Sequence, residues 1–162
     1  KKLVYNQNGG MQIPMWDKVK ETVLYLKSKG YRVDGIGWQG HLMNNQGLKQ
    51  FVENLDQELK KLSDLIDWAH SNKLEFHVTE LDYYNDGENN IFNSVEKQAD
   101  VYQKLMSLLQ EKSKNGLVTA NFWSMGERKS ARGLKGHYMS IYDNDTIPTK
   151  TYEVVKKFIN FN

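Results

Sequence analysis

Short apolar runs alternate along this chain with longer amphipathic stretches, in a constant order. Leu3-Val4-Tyr5 is an extended run that ends in the polar Asn6-Gln7-Asn8-Gly9-Gly10. Trp16, Val19, Val23 and Leu26 then recur at three- and four-residue spacing, which predicts a helix, and Gly30 stands where such a helix stops. Val33 to His41 reads as a second strand containing Gly35, Gly37 and Gly40. Leu55, Leu59, Leu62, Ile66 and Ala69 form a second helical stripe with charges opposite. Leu74 to Leu81 is a third strand, and Val95, Ala99, Tyr102, Leu105 and Leu109 give a third helix, with Gly116 near its end. Val118 to Trp123 is a fourth strand and Tyr152 to Phe158 a closing helix.

The order βαβαβαβα predicts a parallel sheet covered by helices. The strands do not alternate strictly between apolar and polar, as expected when both faces are buried. No linker or low-complexity tract divides the chain, so residues 1–162 read as one unit. The polar residues gather at the C-terminal ends of the strands: Asn6, then Gln39 and His41, then Glu80 and Asp82, then Ser124. That rim is where (β/α)8 barrels place their chemistry. Open doubly wound sheets also bind ligands there, but usually through a glycine-rich phosphate loop, which follows none of these strands. The predicted fold class is therefore α/β, a (β/α)8 TIM barrel. A whole barrel takes about 250 residues, so this chain supplies about four of the eight βα units.

Composition narrows the classes of function. A net charge of +2 with scattered basic residues leaves no footprint for nucleic acid. No apolar run approaches the roughly 20 residues that span a bilayer. The absence of cysteine excludes disulfides and thiolate metal sites. His70, His77 and His137 show no metal-ligand spacing, and Asp143 and Asp145 lack a calcium-loop signature. No metal or other cofactor is expected. The sequence opens at Lys1-Lys2 and enters a strand at once, with no signal-peptide pattern.

The candidate chemistry lies in Leu74-Glu75-Phe76-His77-Val78-Thr79-Glu80-Leu81-Asp82. Alternation along a strand puts Glu80 and Asp82 on one side; with Phe76 and Val78 filling the barrel interior, both carboxylates would emerge at its top. The same parity pairs Gln39 with His41 on the preceding strand. Asp82 could then hold His41, and His41 could hold Glu80 ionised and oriented, as a retaining glycosidase requires of its nucleophile. Carboxylates at strand ends also cap loops, and a lone histidine is more often a core residue. The pairing of two strands is what singles these residues out.

Val33-Asp34-Gly35-Ile36-Gly37-Trp38-Gln39-Gly40-His41-Leu42 resembles the sixth-strand motif of glycoside hydrolase family 10, the endo-β-1,4-xylanase family, which typically reads Ile-Asp-Gly-Ile-Gly-Phe-Gln-Ser-His-Leu. His77-Val78-Thr79-Glu80-Leu81-Asp82 is similar to its seventh-strand motif Ile-Thr-Glu-Leu-Asp, whose Glu is the nucleophile. Leu3-Val4-Tyr5-Asn6 resembles the fifth strand, Lys97-Gln98-Ala99 through Tyr102 the helix after the nucleophile, and Val118 to Trp123 the eighth strand. Tyr142-Asp143, Pro148 and Tyr152 resemble the closing segment. The resemblance implies strands five to eight of the barrel and a retaining hydrolysis of β-1,4-xylan. In it Glu80 forms a covalent glycosyl-enzyme, His41 supports Glu80 and Asp82 orients His41. Gln39 and Trp123 would lie against the sugar at the cleavage subsite, and Tyr5 and Asn6 toward the leaving group. It further implies xylan or xylo-oligosaccharide as ligand and a location that is secreted, or at the cell surface or in the periplasm.

The departures matter equally. The family's acid/base Glu ends its fourth strand, a segment expected upstream of Lys1. The loop after the last strand has Ala131 where the family has a second Trp, and Gln7 stands where an acidic residue is common. Arg128, Lys129, Arg132 and Lys135 add positive charge to that loop, which suits either a solvated loop or uronic acid decorations on the substrate. A half barrel exposes two strand edges, so the missing half or a second copy is expected to cover them. Two other readings stay open: a catalytically silent carbohydrate-binding or inhibitor-like barrel, and a retaining β-glycanase of different substrate.

Overall fold

The computed structural model describes residues 1–42, 49–85, 94–123, 125, 128–129, 137–139, 141–143 and 147–159. The main sheet runs β1 (Val4–Gln7), β2 (Gly35–Trp38), β4 (Glu75–Asn85), β5 (Val118–Phe122), with every neighbour parallel. Between them lie α1 (Ile13–Ser28), α2 (Lys49–Glu53) with α3 (Leu55–Ser71), and α4 (Val95–Lys112); α5 (Lys150–Lys156) closes the chain. The predicted second strand is broken in two, because Gly40 adopts φ +79° and a short β3 (His41–Leu42) then pairs with the upper part of β4. β6 (Arg128–Lys129) and β7 (His137–Met139) add an antiparallel extension to Tyr83–Asn85, which puts His137 in a strand. That extension and the short α2 were not foreseen.

Local sequence accounts for the helices. α1 begins with proline in its first turn and buries Trp16, Val19 and Val23 at helical spacing. The Ser94 side chain caps α4 by accepting from the Lys97 amide at 3.0 Å. Val23, Leu62, Ile66 and Leu105 from the helices join Ile36, Trp38, Phe76, Val78 and Leu81 from the strands in one core. The two tryptophans near the rim also fix the loop after β1. Trp38 Nε1 donates to the Gly9 carbonyl at 2.8 Å, and Trp16 Nε1 to that of Gly10 at 2.9 Å.

One expectation is overturned here. Phe76 and Val78 do not fill a barrel interior; they face the helices. The opposite face carries His77, whose Nδ1 lies 2.8 Å from Thr119 Oγ1, and Thr79, whose hydroxyl meets Asn6 Oδ1 at 3.0 Å. A strand apolar on both sides does not reveal which side is which. The glycines of β2 do: Gly35 and Gly37 leave the space that the His77 and Thr79 side chains occupy.

Candidate active site

Three side chains meet at the top of β3 and β4. His41 Nδ1 lies 2.9 Å from Asp82 Oδ1, and its Nε2 lies 3.2 Å from Glu80 Oε2. β3 pairs His41 directly with Asp82, which is why the imidazole reaches that carboxylate. Glu80 arrives by a different route. Between Val78 and Leu81 the β4–β5 ladder slips: Val78 stands beside Ala120 and Leu81 beside Phe122, three steps against two. This extra residue is a bulge. It leaves Leu81 in the core while Glu80 turns to His41. Alternation keeps Glu80 and Asp82 on one side of the strand, and the bulge sets which side that is.

The electrostatics are asymmetric. The Asp82 side chain is 2% exposed and that of Glu80 20% exposed. Burial by itself would lower the pKa of His41, but the hydrogen bond and charge of Asp82, with the charge and hydrogen bond of Glu80, outweigh it and the net shift is upward. An ionised Asp82 can only accept, so Nδ1 carries a proton. The Nε2–Glu80 contact then also needs a proton, held on the imidazolium when Glu80 is ionised.

The other predicted residues are placed as follows. Gln39 is half-buried; its carbonyl accepts from the Glu80 amide at 2.8 Å, and its own amide donates to Gln7 at 2.9 Å. Trp123 is held at the rim by its amide, 3.0 Å from the Leu81 carbonyl, and 52% of its surface is exposed. Its ring stands perpendicular to that of His41, centroids 5.9 Å apart. Asn6 is exposed on the same face as Thr79. Tyr5 is not brought to this group; it packs against the core on the other face of β1. Ser124, Ala131, Arg132, Lys135 and Asp145 lie outside the described residues, and of Arg128 and Lys129 only the backbone is described. Asp143 accepts from the Ile147 amide at 2.8 Å. Among the described residues no cluster of three or more His, Asp or Glu is arranged for a metal. Sequence reasoning missed Thr79, although its position beside Glu80 and across from a glycine was visible.

Residues 1–158 match the profile of glycosyl hydrolase family 10. A β-1,4-xylanase of Dictyoglomus thermophilum is 28% identical over 172 residues, covering 97% of this chain and 45% of its own length. An endo-1,4-β-xylanase A of Thermoanaerobacterium saccharolyticum is 33% identical over 126 residues, or 76% of this chain and 9% of that protein. Among solved structures, the family 10 xylanase of Thermobacillus composti superposes with a TM-score of 0.75 at 23% identity, covering 98% of this chain and 52% of that one. The native xylanase 10B of Thermotoga maritima gives 0.67 at 23% identity, covering 96% and 46%. This chain thus spans about half the length of such relatives, or less, and its fold is about half of a (β/α)8 barrel. By the match over nearly its whole length, the chain belongs to glycosyl hydrolase family 10.

Proposed function

We propose that this chain carries the nucleophile side of a retaining hydrolase that cleaves β-1,4-xylan, its four strands being the fifth to eighth of the barrel. The Glu80–His41–Asp82 arrangement is the observation that carries this reading. A Glu80 oxygen attacks the anomeric carbon, the glycosidic C–O bond breaks, and the leaving oxygen takes a proton from an acid. A water, deprotonated by the same acid/base group, then attacks that carbon and releases Glu80 as carboxylate. Two inversions give retention. His41 donates to Glu80 and orients it, and Asp82 fixes the tautomer and rotation of His41. Gln39 and Asn6 supply hydrogen-bonding amides beside the sugar. The exposed indole of Trp123 offers an apolar wall for pyranose C–H groups.

Asp82 is not the acid/base: it is buried and committed to His41. Glu75, lower on the strand, is tied to Lys2 at 2.7 Å. As the family resemblance implies, the acid/base carboxyl is assigned to the complementary half of the barrel, which also covers the outer edges of β1 and β5. The family resemblance, with a polymer too large to enter a cell as substrate, supports a secreted, cell-surface or periplasmic enzyme.

The test is intact mass after incubation with a 2-fluoro-xylobioside bearing a dinitrophenolate leaving group, which departs without protonation. An adduct that maps to Glu80 and is absent from Glu80→Ala supports the reading. An adduct that forms only when the complementary half is added places the working site in the complete barrel. No adduct in either case sinks the nucleophile assignment and favours a silent carbohydrate-binding relative.

A further inference from the structure

On β4, Phe76 and Val78 face the helices while His77 and Thr79 face the other way. Strict alternation would return the next residue, Glu80, to the helix side and put Leu81 on the open side. The bulge between Val78 and Leu81 reverses both. Something must hold this extra residue, because a bulge leaves part of the ladder unpaired and free to slip back.

Thr79 sits at that point. Its hydroxyl is 3.0 Å from Asn6 Oδ1, two strands away on β1, with the Trp38 carbonyl of β2 a second acceptor at 3.4 Å. The Asn6 side chain crosses β2 over Gly37, where a Cβ would come within 2.6 Å of Asn6 Oδ1 and 3.2 Å of Thr79 Cγ2. Only a residue without a side chain allows this bond to form. Directly after it, the Glu80 amide donates to the Gln39 carbonyl at 2.8 Å and the Glu80 carboxylate meets His41.

We propose that Thr79 is a positioning residue for Glu80: its hydroxyl, bonded to Asn6 across Gly37, pins the bulge that turns Glu80 toward His41. The kinetic consequence rests on the reading of Glu80 as nucleophile; the structural consequence does not. Thr79→Val keeps the shape and removes the hydroxyl, whereas Thr79→Ser keeps the hydroxyl. Both are compared with the wild type in the complete barrel, reading the titration of the His41 ring by NMR and the labelling rate by the 2-fluoro glycoside. In Thr79→Val the His41 pKa falls, because Glu80 no longer stands beside Nε2. Labelling slows about 10- to 100-fold, the scale for a reacting group displaced by up to about 1 Å, with inactivator affinity unchanged. Thr79→Ser restores both. Unchanged titration and rate in Thr79→Val overturn the proposal, and so does a loss that Ser fails to restore, which assigns the effect to packing. If the wild type is not labelled at Glu80 but its His41 titration still follows this pattern, the nucleophile reading falls and the positioning role stands.

Discussion

The His41 ring bridges two carboxylates of unlike exposure: Asp82, closed off from solvent, holds Nδ1 at 2.9 Å, and Glu80, open to it, lies 3.2 Å from Nε2. In the proposed mechanism the buried partner orients the ring and the partly exposed one is left to react. Such a division works only while the buried charge is present.

Asp82→Asn keeps the shape and an acceptor for Nδ1 but removes the charge. A charge-assisted hydrogen bond contributes about 1.5–3 kcal/mol. Losing it favours the neutral ring, whose Nε2 lone pair then faces the Glu80 carboxylate. Labelling of Glu80 is expected to slow by about 10- to 100-fold. Rates within twofold of the wild type would remove Asp82 from the mechanism.

The pH dependence of stability follows from the direction of the His41 shift. Its pKa is raised on folding above the ordinary value of 6.5, so the folded state binds the proton more tightly than the unfolded chain. The stabilisation is complete below the unfolded pKa and is lost as pH rises through the folded one. His41→Gln should therefore lie further below the wild type in Tm at pH 5.5 than at pH 9. Thermal melts across that range check this, and a gap that stays constant or widens with pH would show that the ring is not charged by its two neighbours.

Much of the fold was legible because burial writes a period into the sequence. The stripe from Leu55 to Ala69 and that from Val95 to Leu109 name their helices, and both lie in the core except for the half-buried Leu59 and the exposed Val95. The meeting of Glu80, His41 and Asp82 was legible from strand-end parity and from two motifs. The face assignment was not, since Phe76, Val78 and Leu81 are equally apolar on either side of a covered strand. Only the glycines of β2 hold that information, through the space they leave. Tyr5 was misplaced for a related reason: its neighbour Asn6 faces Thr79, so alternation sends Tyr5 to the core. The β6–β7 extension carries no apolar period, being made of two- and three-residue strands.

Two glycines separate conformational cost from crowding at the site. Gly30 and Gly40 have nearly the same backbone, φ +80° and +79°. A Cβ on Gly30 would meet nothing within 4 Å, whereas on Gly40 it would lie 2.8 Å from Val78 Cγ1. Gly30→Ala therefore carries only the left-handed penalty, about 1–2 kcal/mol. Gly40→Ala adds overpacking, about 1–3 kcal/mol more, against a side chain fully enclosed in the core. Because Gly40 directly precedes His41, relief of that clash should also shift the imidazole from Glu80. Denaturant melts should show Gly40→Ala as the less stable variant. The labelling rate should fall in Gly40→Ala and remain at the wild-type level in Gly30→Ala. Equal stability for the two would mean that Val78 yields freely, and that the turn into β3 is not held by the packing beneath it.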